Sequence, residues 1–256
     1  MSYRIDLNSD VGEGFGRYLL GNDEQLLNYV TSANIACGFH AGDPSTMRRT
    51  LASAIERGVA IGAHPGLPDL EGFGRRSMDV SPQQAYDLVI YQVGALQGFA
   101  HALGGRLAHV KPHGALYNAA AVDASLAEAI AGAVRDVGDS LILFGLAGGE
   151  LVAAGERAGL RTANEGFADR RYERNGTLVP RRRPDAVITD HDEAAAQAVA
   201  MVKEGRLRSV EGADAELRVD TICIHGDAPG ALPFARVIRE RLESEGIAVE
   251  PVGAPR

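Results

Sequence analysis

Five short apolar segments of this sequence each run into a cluster of polar residues, and this arrangement limits the possible folds more than any other feature. Four of the clusters contain histidine and lie within residues 35–44, 61–65, 109–114 and 222–227. The fifth lies within residues 5–13 and carries Asp10 and Glu13 instead. The carboxyl ends of parallel strands meet on one face of the fold. The sequence therefore predicts an α/β protein whose clusters converge on one polar pocket, which is typical of an enzyme.

Strand and helix signals alternate along the chain, which favours a parallel sheet built from βαβ units. Strands are expected near residues 3–8, 33–37, 59–63, 107–111, 141–145, 160–164 and 220–225, and helices over 23–31, 123–137, 148–158, 191–204 and 230–245. Two further helices are expected to begin at Asp43-Pro44 and Ser81-Pro82 and to end at Gly58 and Gly104. Asp and Ser cap helix N-termini, proline suits the first helical position, and glycine stops a helix.

Seven such strands either close as an incomplete barrel or stay open as a doubly wound sheet, and both place ligands at the carboxyl ends of the strands. The chain has 256 residues, which suits a single domain over residues 1–256. Residues 166–190 break the alternating pattern, because they are too polar and too rich in proline for a helix. We expect this segment to cross the active face, with a short hairpin.

Charge and composition exclude some classes of partner. A formal net charge of −8 and a pI near 5.4 argue against nucleic acid or an anionic membrane as the main partner. No apolar stretch approaches the roughly 18 residues of a membrane span, and residues 3–7 resemble a strand rather than a secretion signal. Cys37 and Cys223 lie in apolar segments, which suits a reducing compartment. We therefore expect a cytoplasmic protein.

Nucleotide-binding motifs are weak or absent. Residues 12–16 resemble a dinucleotide fingerprint, but the third glycine comes one residue early and Arg17 takes its place. A tight turn is the better interpretation, because glycine is the usual residue where the backbone bends sharply. No P-loop motif occurs in the sequence. The sequence therefore offers no familiar nucleotide-binding motif.

Carboxylates and histidines at the predicted strand ends are the first candidates for catalysis. They are Asp10, Glu13, His40, His64, His113 and His225. Imidazole titrates near neutral pH and binds metals when neutral, and carboxylates serve as general bases or as ligands. Proton transfer is favoured over metal binding, because no His-Glu-x-x-His motif occurs. For a bound metal ion, the expected ligands are Asp10, His40 and His64.

Cationic side chains near the predicted pocket are candidates for holding an anion. Lys111 ends the fourth predicted strand, where its charge can neutralise a carboxylate or a developing negative charge. Arg75, Arg76 and Arg170 can grip a planar carboxylate or a phosphate. Asp227 lies two residues after His225 and can orient its imidazole. The other histidines, His101, His109 and His191, and Cys37 are expected to have structural roles.

Six ordered motifs together resemble the LamB/YcsF family. They lie at residues 6–13, 36–44, 62–65, 110–118, 165–172 and 224–227, and the resemblance runs from residue 5 to about residue 240. Gly166 departs from the family pattern, in which a bulkier residue is usual. The motifs add Asn8, Tyr117 and Glu165 to Glu13, Arg75 and Arg170 as candidates for binding substrate.

The resemblance implies an incomplete TIM-like (β/α)7 barrel with its active site at the C-terminal ends of the strands. It implies ATP-dependent hydrolysis of 5-oxo-L-proline to L-glutamate, in a complex with two partner subunits, PxpB and PxpC. ATP is then a cosubstrate that binds with Mg at the partners, which activate the lactam. A homo-oligomer is compatible with this scheme.

The expected roles follow from the residue types. Asp10, His40 or His64 would activate water, and Lys111 and Arg170 would hold the substrate carboxylate or a phosphate. His113 and His225, the latter tuned by Asp227, would protonate the leaving nitrogen. Two alternatives stay open: a stand-alone metal-dependent amidase or deacetylase acting on a small cyclic amide, and a non-catalytic subunit that holds the lactam for its partners.

Overall fold

The computed structural model of the chain describes residues 3–18, 20–224 and 231–254. The strands within these ranges are β1 (Tyr3–Val11), β2 (Ser32–Ala36), β3 (Ala60–His64), β4 (Leu107–Val110), β5 (Ile142–Leu146), β6 (Arg161–Phe167), β7 (Arg206–Arg208), β8 (Asp214–Glu216), β9 (Thr221–Cys223) and β10 (Ile247–Val249). The seven strands expected from the sequence all occur, each within a few residues of its expected position.

These seven strands close into a parallel barrel. Their order is β1, β2, β3, β4, β5, β6 and β9, and β9 pairs back onto β1 through residues 6–8. The open doubly wound alternative is therefore wrong. The barrel has one strand fewer than the eight of a TIM barrel, as the family resemblance implied. β10 extends the sheet beside residues 3–5 of β1, and β7 and β8 form a separate antiparallel pair.

Helices cover the outside of the barrel. They are α1 (Asp23–Leu26), α2 (Pro44–Glu56), α3 (Pro82–Ala102), α4 (Gly114–Ala120), α5 (Ala124–Val137), α6 (Glu150–Arg157), α7 (His191–Glu204) and α8 (Ala231–Ser244). Both expected caps form: Asp43 accepts hydrogen bonds from the N–H groups of Ser45 and Thr46, and Ser81 forms a capping box with Gln84. Each such cap stabilises a helix by about 1 kcal/mol. Among the described residues, no helix is both long and apolar enough to cross a bilayer.

One expected helix is shorter than the sequence indicates, and four short elements were not expected. Helix α1 ends at Leu26 rather than near residue 31, because Thr31 already hydrogen-bonds to Leu7 beside β1 and the chain must leave the helix before it. Helix α4 and strands β7, β8 and β10 were not expected, since they are short and have little periodicity. Residues 168–190 contain no helix, and the bridge between Tyr172 and Leu178 forms the expected small hairpin.

The hydrophobic core lies between the strands and the helices rather than inside the barrel. Leu51 of α2, Val93 of α3 and Ile130 of α5 are fully buried there. Burying each such side chain contributes roughly 1.5–3 kcal/mol. The barrel interior is instead lined by buried polar side chains, many of which hydrogen-bond to one another. The ionisable side chains are therefore concentrated inside the barrel, and the apolar side chains lie around it.

Candidate active site

Strand β1 supplies the first row of polar side chains inside the barrel. Alternate residues of a strand point to the same face, and Asp6, Asn8 and Asp10 are all on the inward face. Asp6 and Asn8 are at most 1% exposed, and Asp10 lines the cavity above them. The parallel register sets Asp10 beside Asn34 of β2. The alternation of side chains along β1 therefore places Asp6, Asn8 and Asp10 at successive depths inside the barrel, with Asp10 nearest the cavity.

Asn34 connects three strands through its side-chain amide. Its Nδ2 donates to Asn8 Oδ1 at 2.7 Å and to Asp10 Oδ1 at 2.9 Å, while its Oδ1 accepts from His109 Nε2 at 2.7 Å. His109 reaches Asn34 across β3, where the register places Gly62 between them. A Cβ on Gly62 would lie 2.0 Å from His109 Nε2, so only glycine leaves room for this hydrogen bond.

The buried ammonium of Lys111 lies at the centre of the interior. Its Nζ is 3.1 Å from Asp10 Oδ1, 2.8 Å from Glu165 Oε1 and 3.1 Å from Asn8 Oδ1, and it also contacts Cys223 Sγ at 3.2 Å. Burial by itself would lower the pKa of Lys111, but the charges of Asp10 and Glu165 raise it well above its usual value. The lysine is therefore charged, and its acceptors hold Nζ inside the protein.

Asp10 is the carboxylate that links this ammonium to the histidines. Its Oδ2 lies 3.3 Å from His64 Nε2, and its Oδ1 lies beside Lys111. Burial would raise the pKa of Asp10, but the neighbouring His64 and Lys111 hold it well below its usual value. Asp10 is thus an ionised carboxylate at the edge of a cavity, which is the state that a general base needs.

Four side chains at or just after the carboxyl ends of β1, β2, β3 and β4 converge beside Asp10 and are called the histidine cluster: Glu13, His40, His64 and His113. One potential ligand atom from each lies within 4.8 Å of the others, and all four residues are buried. His113 Nδ1 is 2.9 Å from His64 Nε2 and 3.6 Å from Glu13 Oε1, and His40 Nε2 is 3.3 Å from Glu13 Oε1. In the described part of the chain, this is the group that can hold a metal ion.

Backbone carbonyl groups and ring stacking orient the imidazoles. His64 Nδ1 lies 2.7 Å from the carbonyl oxygen of Lys111, and His113 Nε2 lies 2.8 Å from that of Phe73. His40 stacks on His113 with ring centroids 3.7 Å apart. Burial, reinforced by His64, lowers the pKa of His113 to about 3, and burial lowers the pKa of His40 well below its usual value. Both rings are therefore neutral at physiological pH.

A cavity of about 480 Å³ opens above Asp10, within the range of ordinary small-molecule sites. Among its lining residues are Asp10, His64, Arg75, Lys111, His113, Tyr117, Arg170 and residues 177–181. Residues 177–181 belong to the segment expected to cross the active face, and their presence here agrees with that prediction. Arg170 Nη2 donates to the carbonyl oxygen of Val179 at 2.6 Å, so this arginine also holds residues 177–181 in place beside the cavity.

Several sequence-predicted residues occupy positions that modify their expected roles. His40 and Glu13 lie behind the cavity wall, whereas Asn8 and Glu165 lie beneath Lys111. The metal ligands expected from the sequence were Asp10, His40 and His64, whereas the structure groups His40 and His64 with Glu13 and His113. Arg76 is directed away from the cavity into a close ion pair with Asp69. His225 and Asp227 lie outside the described residues.

Sequence reasoning missed Asn34, Asp6 and Thr221. Asp6 accepts hydrogen bonds from Thr31, Ser32 and Thr221, and Thr221 also accepts from Asn8 Nδ2 at 2.7 Å. The signal was present as polar residues at alternate positions of apolar strands, which indicates a polar barrel interior. The roles expected for His109 and Cys37 agree with the structure, since both are buried and His109 stacks on Phe144.

Comparisons with known proteins agree with this geometry. The sequence profile of the LamB/YcsF family matches residues 5–256. The chain is 61% identical to a 5-oxoprolinase subunit from Bacillus subtilis (strain 168), over 99% of both chains. It is 60% identical to the corresponding 5-oxoprolinase subunit from Bordetella pertussis, over 98% of this chain and 99% of that one. The crystal structure of a lactam utilization protein from Thermus thermophilus superposes with a TM-score of 0.92 at 46% identity, covering 96% of this chain and 99% of that one.

Proposed function

The chain belongs to the LamB/YcsF family, and from this we propose that it is the subunit of an ATP-dependent 5-oxoprolinase that completes the hydrolysis of 5-oxo-L-proline to L-glutamate. ATP is converted to ADP and phosphate in the overall reaction. The identity of the substrate rests on the names of relatives about 60% identical over nearly the whole chain. PxpB and PxpC would be the partner subunits, and nucleotide with Mg would bind there.

One observation in this chain supports a catalytic rather than a passive role. An ionised carboxylate, Asp10, faces a cavity and is flanked by a buried ammonium and an imidazole. A site that only holds a small lactam needs few ionisable groups, because hydrogen bonds and apolar walls suffice. Burying Lys111 with Asp10 and Glu165 is costly unless every charge is paired, so this arrangement suggests a chemical purpose.

The proposed chemistry starts from an activated lactam. Phosphorylation of the amide oxygen at the partner subunits would remove the resonance that makes a lactam inert. Asp10 would then take a proton from the attacking water, while His64 and Lys111 hold the two carboxylate oxygens of Asp10 in place. Departure of the protonated ring nitrogen would leave an acyl phosphate, from which a second water would release phosphate to give glutamate. Arg75 and Arg170 line the cavity and would attract the substrate carboxylate or the phosphate.

The sequence offers two candidates for protonating the leaving nitrogen. His113 lines the cavity, but its ring is neutral, its Nε2 donates to Phe73 and its Nδ1 faces His64, so this arrangement does not favour it as the proton donor. His225 with Asp227 is the second source expected from the sequence. Lys111 was expected to hold the substrate carboxylate, but its Nζ already lies among protein acceptors. We therefore assign to Lys111 the role of keeping Asp10 ionised and fixed.

The decisive experiment measures glutamate and phosphate released from 5-oxoproline and ATP. Three samples are compared: this chain alone, PxpB with PxpC, and the three subunits together. Glutamate formation only in the complete mixture is the expected result. Absence of glutamate in all three samples, with each subunit shown to be folded, would overturn the proposal.

A second candidate is a stand-alone, metal-dependent amidase or deacetylase acting on a small cyclic amide. The histidine cluster is the observation that favours it, because neutral imidazoles and a carboxylate are common ligands of catalytic metal ions. It predicts lactam hydrolysis by the isolated chain without ATP, and loss of that hydrolysis after treatment with a chelator. The first sample of the assay therefore separates the two candidates.

A further inference from the structure

Two imidazoles of the histidine cluster face each other through ring nitrogens. A carbonyl oxygen only accepts hydrogen bonds, so His64 Nδ1 must carry a hydrogen to donate to Lys111 O, and His113 Nε2 must carry one to donate to Phe73 O. The second nitrogens of the two rings, His64 Nε2 and His113 Nδ1, are 2.9 Å apart, and His64 Nε2 is also 3.3 Å from Asp10 Oδ2. Two bare nitrogens would repel each other at this distance, so either a proton or a metal ion must lie between them.

Glu13 and His40, the other two members of the cluster, lie close to the same pair of nitrogens. Glu13 Oε1 is 3.6 Å from His113 Nδ1 and 3.3 Å from His40 Nε2. Neighbouring ligands of a tetrahedral ion with bonds of about 2.0–2.1 Å are separated by roughly 3.3 Å. The observed separations of 2.9, 3.3 and 3.6 Å bracket that value. All four atoms lie within 4.8 Å of one another, so the widest pair must move closer when an ion binds.

From this geometry we propose that Glu13, His40, His64 and His113 bind one divalent transition-metal ion of the zinc class. Imidazole nitrogen with a single carboxylate suits Zn²⁺, Co²⁺, Fe²⁺ or Mn²⁺ rather than Ca²⁺ or Mg²⁺, which prefer sets of oxygen ligands. The carbonyl groups of Lys111 and Phe73 act as the outer partners that usually orient metal-binding histidines. His40 stacks on His113 with the two ring planes nearly parallel, so one ring must tilt before both can direct a nitrogen at the same ion.

This site goes beyond the proposed function, because it concerns ion binding by the isolated chain, with or without partners or ATP. It also bears on the chemistry. An ion held by His113 Nδ1 prevents that nitrogen from protonating the leaving group. Asp10, which pairs with Lys111, would then return to the leaving nitrogen the proton that it takes from water.

The test uses the purified chain without an affinity tag, after removal of metals with a chelator. Zn²⁺ is titrated by calorimetry, and Co²⁺ is titrated by visible absorption, which reports the geometry of its ligands. We expect one ion per chain and an absorption spectrum of a four- or five-coordinate site. Absence of Zn²⁺ and Co²⁺ binding at micromolar concentrations would overturn the proposal and indicate a proton shared between His64 and His113.

Variants identify the site. Glu13→Gln and His113→Gln are each expected to weaken Zn²⁺ binding by at least the roughly 10–100-fold that loss of an outer hydrogen-bonding partner of a ligand costs. The matched control is His101→Gln, which removes an exposed histidine of α3 and should bind Zn²⁺ normally. Equal Zn²⁺ binding by all three variants would also overturn the proposal. Circular dichroism of the metal-free variants checks their folding.

X-ray absorption of the unmodified chain loaded with Zn²⁺ keeps the proposal testable if the variants do not fold. It should show nitrogen and oxygen ligands at about 2.0–2.1 Å, with the scattering pattern of imidazole rings. A spectrum without imidazole scattering would place the ion elsewhere and contradict the assignment. None of these measurements requires 5-oxoproline or ATP, so failure of this inference and failure of the proposed function are distinguishable.

Discussion

Lys111 illustrates how one residue ties folding to chemistry. The chain contains two lysines, Lys111 and Lys203. Lys111 is 3% exposed and pairs with Asp10 and Glu165, whereas Lys203 pairs with Glu245 near the surface, with both side chains about 30% exposed. Removing one partner of a buried pair leaves an uncompensated charge, but a surface pair contributes little. The two lysines therefore provide a matched comparison.

We predict that Lys111→Met lowers the free energy of unfolding by about 3–5 kcal/mol, because Asp10 and Glu165 lose their buried counter-charge. Lys203→Met should cost less than about 1 kcal/mol. Urea unfolding of both variants at neutral pH measures the difference. Equal effects of the two substitutions would mean that the interior charges are not paired as the structure shows.

Asp6 predicts a dependence of stability on pH. Burial raises its pKa to about 6, although hydrogen bonds from Thr221, Thr31 and Ser32 oppose the rise. Because the folded pKa exceeds the unfolded value of 3.8, the unfolded chain loses the proton first as pH rises. The contribution of Asp6 to stability is therefore greatest below pH 4 and falls by about 3 kcal/mol by pH 6–7, at 1.36 kcal/mol per pKa unit.

Asp6→Asn should remove this fall. The unfolding free energy of the variant minus that of the unmodified chain should increase by about 2.4 kcal/mol between pH 4 and pH 7, whatever its value at pH 4. Other titrating groups are common to both proteins and cancel in the difference. A difference that stays constant with pH would show that Asp6 ionises normally in the folded protein.

Strand β3 affects the site because Gly62 has no side chain. Gly62 leaves the space through which His109 of β4 reaches Asn34 of β2. We predict that Gly62→Ala costs about 1–3 kcal/mol in unfolding free energy, since an added Cβ forces His109 off Asn34. Gly98→Ala in α3 is the control, because a Cβ there meets no atom within 4 Å and the substitution should stabilise the helix by about 0.5–1 kcal/mol.

The outcome for Gly62→Ala can be followed by thermal unfolding and by the imidazole NMR signals of His109. Displacement of His109 should change its signals together with those of the Asn34 side-chain amide. A variant as stable as the Gly98→Ala control would show that the strands separate easily and that the polar interior is not tightly packed.

At the scale of the whole molecule, the sequence predicts the strands and caps because these depend on local patterns. Asp43-Pro44 and Ser81-Pro82 cap helices as expected, and the strand ends converge. Closure of the barrel between β9 and β1 depends on residues more than 200 positions apart. The residue types alone therefore did not decide between a closed barrel and an open sheet. The roles of Asn34 and Gly62 depend on register across neighbouring strands, which one sequence does not contain. His225 and Asp227 keep their predicted roles as hypotheses.

The proposed assembly with PxpB and PxpC allows a direct test of whether this chain catalyses the proposed reaction or only holds the lactam. Asp10→Asn keeps the size of the side chain but removes the charge that faces the cavity beside Lys111. We predict that the variant chain co-elutes with PxpB and PxpC, while glutamate release by the complex falls by roughly 10²–10⁴, the usual contribution of general acid–base catalysis. If the partners activate the lactam before this chain acts, ATP consumption should persist in a first turnover. A complex that assembles and loses less than tenfold in turnover would favour the non-catalytic role, because a passive binding site does not need an ionised Asp10.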